Sequence, residues 1–409
     1  MTKPRSRANG EGSIYPHRNG YAAYAWVVTP VGLRTRKYVY GKTRDEVHDK
    51  WIALQKKAKD GPVATKVPTL GMYLIYWLRE VVQPNMKPKP AETYDMHVRL
   101  YIAPALGAKR LDKLNVRDVR AFFNALAVTC QCCAQGKDAA RPLKKQKCCA
   151  RGNCCHQVLS RTSLQDVRKV LRVALNNAII DELITKNPAA LVKLPAARGR
   201  KVKPWSADEA RQFLVSAKAD DDPFYAAYVL TLVCGLRRGE ILGLHWPEVD
   251  LEHAQVTPAF GLQRIGGKLV FGETKTEASD APLPLPGICV AALQDRQTQQ
   301  ARDRAELGFW PADELVFTTR IGSAIDPRNF NRSFMRRAEI AGVRRIRVHD
   351  TRHTCGTLLA ALDVHPRVAM QILRHSKIDV TMEVYTHVPS ELTRRALKKL
   401  GDSLDGLAS

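Results

Sequence analysis

A chain of 409 residues is long enough for two or three domains at roughly 150 residues each, every one able to bury a core. Lysine and arginine number 65 against 40 aspartates and glutamates. The net charge of +25 and pI of about 9.8 point to a polyanionic partner without separating DNA from RNA or an anionic membrane. No stretch of about 18 apolar residues is present and Met1 to Arg7 hold no apolar signal core, so a soluble, cytoplasmic chain with no membrane partner is expected.

Residues 1–60 make the first expected module. Polar and apolar residues alternate, Asn19 and Gly20 give a hairpin signal, and Thr43 leads a helix through Lys56, which together predict a three-stranded sheet with one helix. Arg34, Arg36 and Lys37 are either nucleic-acid contacts on this sheet or an ordinary solvated basic strand.

Residues 68–195 read as helical. The last helix carries a capping box, Thr162 with Gln165 or Ser163 with Asp166, before Val167, Val170, Leu171, Ala174, Ala178 and Ile179 at core-facing spacing. An insert over residues 130–156 holds seven of the ten cysteines. A cytoplasmic chain does not keep such thiols as disulfides, whereas Zn²⁺ takes four sulfur or nitrogen ligands in a tetrahedron. Cys130, Cys132, Cys133, Cys148, Cys149, Cys154, Cys155 and His156 offer eight donors, for one structural zinc site with spares or for two. Adjacent cysteines are awkward ligands for one ion, so a reduced, redox-sensitive thiol loop is the alternative.

Residues 196–204 form a basic, Pro-terminated linker in which Arg198, Arg200, Lys201 and Lys203 either track phosphates or are solvated. Ser206 and Glu209 cap the helix that opens a domain over residues 205–390. The apolar run from Pro223 to Cys234 is a buried helix ended by Gly235, so that Arg237 emerges at a break. Glu240, Ile241, Leu244 and Trp246 then describe a short second helix, with Glu240 orienting Arg237. Lys275 is expected at a β-hairpin tip, between the apolar residues 269–271 and the Pro-rich stretch from Pro282. His349 and Arg352 share one face at the start of a helix, with His353 directed elsewhere. Cys234, Cys289 and Cys355 read as small core residues, and residues 391–409 as a basic amphipathic tail helix with Leu392, Ala396, Leu397 and Leu400 on one side.

Tyr385 stands ten residues after His375. A phenol with a reference pKa of about 10 attacks at neutral pH only with a base and positive charge nearby. His349 and His375 supply the base, and Arg237 and Arg352 supply planar forks that match phosphate oxygens. A leaving DNA oxygen must be protonated, for which Lys275 is the candidate.

The ordered boxes around Arg237, Lys275, His349 to His353 and His375 to Tyr385 resemble those of the tyrosine recombinase (lambda-integrase-like) family. Asp280 stands where that family often has Arg, and Arg374 where it commonly has Gly. The resemblance implies that Tyr385 attacks a scissile phosphodiester to give a 3′-phosphotyrosine and a free 5′-hydroxyl that attacks a partner duplex. Arg237 and Arg352 then hold the phosphate, Lys275 is the general acid, His349 assists proton transfer and His375 supports the transition state, with no cofactor needed for catalysis. It further implies a multidomain, mainly α fold with small β-sheets: a small β-sheet plus helix arm-binding domain, a helical core-binding domain and an α+β catalytic domain. The expected partners are double-stranded DNA attachment sites, three further protomers in a homotetramer on DNA, and host bending and excision factors. The Cys-rich insert resembles those of integrases from actinobacterial mobile elements. A type IB topoisomerase-like nicking-closing enzyme and a zinc-bearing DNA-binding regulator with an inactive core are the other readings of the same residues.

Overall fold

The computed structural model describes residues 14–28, 33–61, 67–197, 203–273, 282–308, 310, 314–374, 378 and 382. The chain divides into two compact units, Met1–Gly199 and Arg200–Ser409. Lys275, Asp280, His375, Tyr385, Arg198, Arg200, Lys201 and the tail 391–409 lie outside the described residues.

The first unit begins with an antiparallel sheet of β1 (Tyr15–His17), β2 (Gly20–Val28) and β3 (Arg34–Gly41), followed by α1 (Arg44–Asp60). Thr43 caps α1 by accepting from the Glu46 N–H, and Ala23, Ala25 and Val27 pack against Val47, Trp51 and Leu54. The β1–β2 register pairs His17 with Gly20, so the turn is Arg18–Asn19, one residue earlier than the Asn19–Gly20 signal suggests. Gly20 is needed for a different reason: a Cβ there would lie 2.3 Å from the Gly41 carbonyl oxygen.

The helical region runs α2 (Leu70–Trp77), a π turn at Leu78–Val82, α3 (Gln83–Asn85), α4 (Pro88–His97), a second π turn at Val98–Ile102, and α5 (Ala103–Leu106). It continues through α6 (Val116–Val128), α7 (Gln131–Ala134) and α8 (Arg161–Ile180). Leu74, Trp77, Phe123, Val167, Leu171 and Leu175 meet in one apolar core, each worth roughly 1.5–3 kcal/mol of transfer free energy when fully buried. The α8 stripe is core as its spacing predicts, although Ile179 is only half-buried. Its cap differs from both expected boxes. Ser160 accepts from the Ser163 N–H at 3.1 Å, which places Thr162 and Ser163 inside the first turn.

The second unit packs α9 (Ala207–Ala219), α10 (Tyr225–Val233), α11 (Arg238–Leu242), α12 (Gly287–Leu307), α13 (Pro327–Ile340), α14 (Asp350–Ala361) and α15 (Pro366–Leu373). Its sheets are β4 (Val249–Asp250), β5 (Gln255–Val256) and β8 (Leu283–Pro284) in the order β4-β5-β8, and the hairpin β6 (Phe260–Ile265) with β7 (Lys268–Glu273). Ser206 and Glu209 form the predicted capping box, and Ala226 through Leu232 are all buried. Trp205, Phe213, Tyr228, Phe330 and Phe334 make the aromatic centre of the core. The Trp205 backbone N–H donates to Thr354 Oγ1 at 3.1 Å and its indole N–H to the Arg344 carbonyl at 2.6 Å, tying the start of this unit to α14.

Gly266 and Gly267, both at positive φ, make the β6–β7 turn, and the hairpin tip expected at Lys275, between residues 269–271 and Pro282, falls outside the described residues. Close approach seats the hairpin on α11: a Cβ at Gly243 would come within 2.8 Å of the Leu262 nitrogen.

Candidate active site

Gly235 starts the site. Its φ of +61° is the left-handed conformation that ends α10, and a Cβ there would meet Leu373 Cδ2 at 2.6 Å and Cys355 Sγ at 3.3 Å. The bare backbone therefore lets the end of α15 close over the start of α11. Arg237 becomes the N-cap residue of α11, at the break between helices that the sequence predicts.

Glu240 gathers the arginines. Its Oε1 accepts from Arg237 Nη1 at 2.7 Å, and its Oε2 accepts from the Arg237 N–H at 2.8 Å and from Arg374 Nη2. Arg237 Nη2 also donates to the Arg374 carbonyl at 3.3 Å. Arg352, on the first turn of α14, donates Nη1 to the Gly235 carbonyl at 2.6 Å and Nη2 to the Leu373 carbonyl. The sequence pairs Glu240 with Arg237 correctly but gives no sign that Arg374 joins them. Arg374 is 2% exposed and left-handed at φ +50°, a conformation that glycine adopts without strain.

Three guanidiniums around one carboxylate leave an excess of positive charge. Burial pulls the Arg352 pKa down to about 9, with the Arg237 charge as the next contribution. Burial lowers Arg374 as well. An anion placed here offsets that charge, and Arg237 offers the approach because 40% of its side chain is exposed.

His349 is the N-cap residue of α14. Burial, then the neighbouring His353 and Arg352 charges, lower its pKa and favour the neutral imidazole, the form that accepts a proton. Asp350 steadies this turn by accepting from the Arg347 N–H at 2.9 Å and Nη2 at 2.6 Å. His353 is not directed away as expected: its ring meets that of His349 edge-on at 5.5 Å, the ordinary consequence of i,i+4 spacing. Cys234, Cys289 and Cys355 are buried; the first two sulfurs lie 3.7 Å apart.

Elsewhere, Arg34 and Arg36 stack over Trp26 at 5.2 and 4.8 Å, and Arg36 over Tyr24 at 4.8 Å, on the open face of the first sheet. Strand alternation puts Lys37 on the opposite, α1-covered side, so the structure does not bring it to that face; burial, then Lys57, lowers its pKa. Lys203 is exposed, and its carbonyl accepts from Arg344 Nη1 at 2.8 Å. The insert sulfurs form two overlapping groups, Cys130, Cys133, Cys149 and Cys154, and Cys132, Cys148, Cys149 and Cys155. His156 is exposed and belongs to neither. Among the described residues no helix is long and apolar enough to cross a membrane.

Residues 205–391 match the Phage integrase family, and residues 69–127 match its N-terminal SAM-like domain. A "Tyrosine recombinase XerC-like" protein of Caldanaerobacter subterraneus is 25% identical, over 94% of this chain and 97% of its own. The integrase of Mycobacterium phage D29 is 25% identical, over 92% and 93%. The fold is that of the Tn1549 transposon integrase, solved with transposon right end DNA, at a TM-score of 0.63 and 20% identity over 81% of this chain and 99% of that one. The buried arginine cluster and these likenesses agree, and the chain belongs to the phage integrase family of tyrosine recombinases as a site-specific integrase that cuts and rejoins DNA.

Proposed function

We propose that the protein integrates a phage or mobile element by a 3′-phosphotyrosine route in which Arg237 and Arg352 hold the scissile phosphate. The observation that carries this reading is the cluster of Arg237, Arg352 and Arg374 around Glu240, positively charged in excess and open to solvent at Arg237. Tyr385 attacks phosphorus as the bond to the 5′ oxygen breaks, and Lys275 protonates that leaving oxygen. His349, neutral near pH 7, takes part in moving the phenolic proton, and His375 supports the charged transition state. The covalent link conserves the energy of the phosphodiester, and this chemistry needs no catalytic cofactor.

Around that centre, double-stranded attachment sites are the partner. Arg34 and Arg36 suit an arm site, and Arg198, Arg200, Lys201 and Lys203 suit the phosphates flanking the core site. Four protomers on two duplexes form the active assembly, with host bending and excision factors as further partners, in the cytoplasm. The insert is a structural zinc module. The topoisomerase-like and inactive-regulator readings are not favoured, since the relatives are integrases and recombinases along nearly the whole chain.

The test is strand exchange. Wild-type protein incubated in EDTA with two duplexes carrying the element end and its chromosomal junction should yield recombinant junctions joining the two. Relaxation of supercoils with no joined product would instead assign nicking and closing.

A further inference from the structure

We infer that the insert holds two zinc ions in one seven-thiolate cluster, with Cys149 bridging them; this rests on the zinc reading of the insert and extends it. The sulfur spacing carries the argument. Tetrahedral Zn²⁺ with bonds of about 2.3 Å sets neighbouring sulfurs about 3.8 Å apart, whereas a disulfide sets them at about 2.0 Å. Cys133 and Cys154 stand 3.7 Å apart, Cys132 and Cys148 3.8 Å, Cys130 and Cys149 3.9 Å, and Cys149 and Cys155 3.7 Å.

How the cysteines divide explains their odd adjacency. The pairs Cys132–Cys133 and Cys154–Cys155 each send one sulfur to the first group and its neighbour to the second. Neither pair has to chelate a single ion, which removes the objection that the bare sequence raises. Cys130 and Cys149 complete the first group. The second group has only Cys132, Cys148 and Cys155 of its own, and the donor that completes it is Cys149, already a member of the first. Cys148 and Cys149 are thus the one adjacent pair that meets at an ion, and they do so only through the bridge. His156 does not supply the missing donor. A shared thiolate is therefore what gives both ions four sulfurs.

The surrounding loop is built to hold this arrangement. Asp138 is fully buried and accepts from the backbone N–H groups of Lys147 at 3.0 Å, Cys148 at 2.9 Å and Ala150 at 3.2 Å, which fixes the turn carrying Cys148 and the bridge. Arg141 Nη1 donates to the same carboxylate at 3.0 Å. The His156 N–H reaches Cys154 Sγ at 3.4 Å, a donor suited to a thiolate. Seven thiolates on two dications keep a net negative charge, and Lys137, Lys144, Lys145, Lys147 and Arg151 of the same insert offset it.

Metal content of the full-length protein, purified without chelator, tests this directly. Two zinc ions per chain are expected, and after exchange with ¹¹³Cd two resonances that couple to each other through the bridging sulfur. Cys149→Ser should abolish that coupling and lower the content to one ion or fewer, while Cys289→Ser, outside the insert, keeps two. One ion per chain, or two uncoupled resonances, overturns the bridged cluster and leaves a simple zinc site. No bound metal overturns the zinc reading as well. The wild-type coupling decides the matter even where Cys149→Ser does not fold.

Discussion

Arg237→Lys should slow strand cleavage about 10²–10³-fold while changing duplex affinity less than about threefold. Lysine keeps the charge but not the planar fork, and the fork is what the geometry uses: Nη1 is held by Glu240 at 2.7 Å and Nη2 by the Arg374 carbonyl at 3.3 Å. A point charge in that place would lose the orientation that the proposed contact to the two non-bridging oxygens requires as charge builds on them in the transition state. The variant should fold, because 40% of the Arg237 side chain is exposed and it fills no core position. Quench-flow cleavage of a suicide substrate beside a native-gel affinity separates the two effects. A loss of affinity as large as the loss of rate would make Arg237 a plain binding residue.

Glu240→Ala should destabilise the protein by about 3–5 kcal/mol, because it removes the buried carboxylate that balances the charge of the buried Arg374 guanidinium. The pair is deeply buried, with side-chain exposures of 2% for Arg374 and 6% for Glu240. Arg237 suffers less, since its head reaches water. The double variant Glu240→Ala with Arg374→Gly should recover more than half of the loss, since glycine accepts φ +50° and carries no charge for a carboxylate to balance. Urea unfolding of the four proteins of this cycle measures the coupling. Additive losses would mean that the ion pair contributes little and that the cost lies in packing alone.

Local signals in the sequence decide much of this site. Gly235 marks the break that exposes Arg237, Ser206 and Glu209 mark the start of the second unit, and Thr43 marks α1, because each depends on neighbours within four residues. What could not be read depends on contacts between distant segments. Arg374 meets Glu240 across 134 positions, so its role as a structural partner is invisible before folding. The division of adjacent cysteines between two groups is likewise a property of loop geometry. Other differences were within reach of local rules: strand alternation separates Lys37 from Arg36, and i,i+4 spacing sets His353 beside His349.

Cleavage through Tyr385 should leave a covalent protein–DNA bond. Wild-type protein and Tyr385→Phe, each incubated in EDTA with DNA spanning the attachment site, should both shift the duplex in a native gel, and only wild type should leave SDS-resistant protein on a 3′ end. An adduct formed equally by Tyr385→Phe, or no adduct from wild type on DNA that it binds, would mean that Tyr385 is not the nucleophile of strand cleavage.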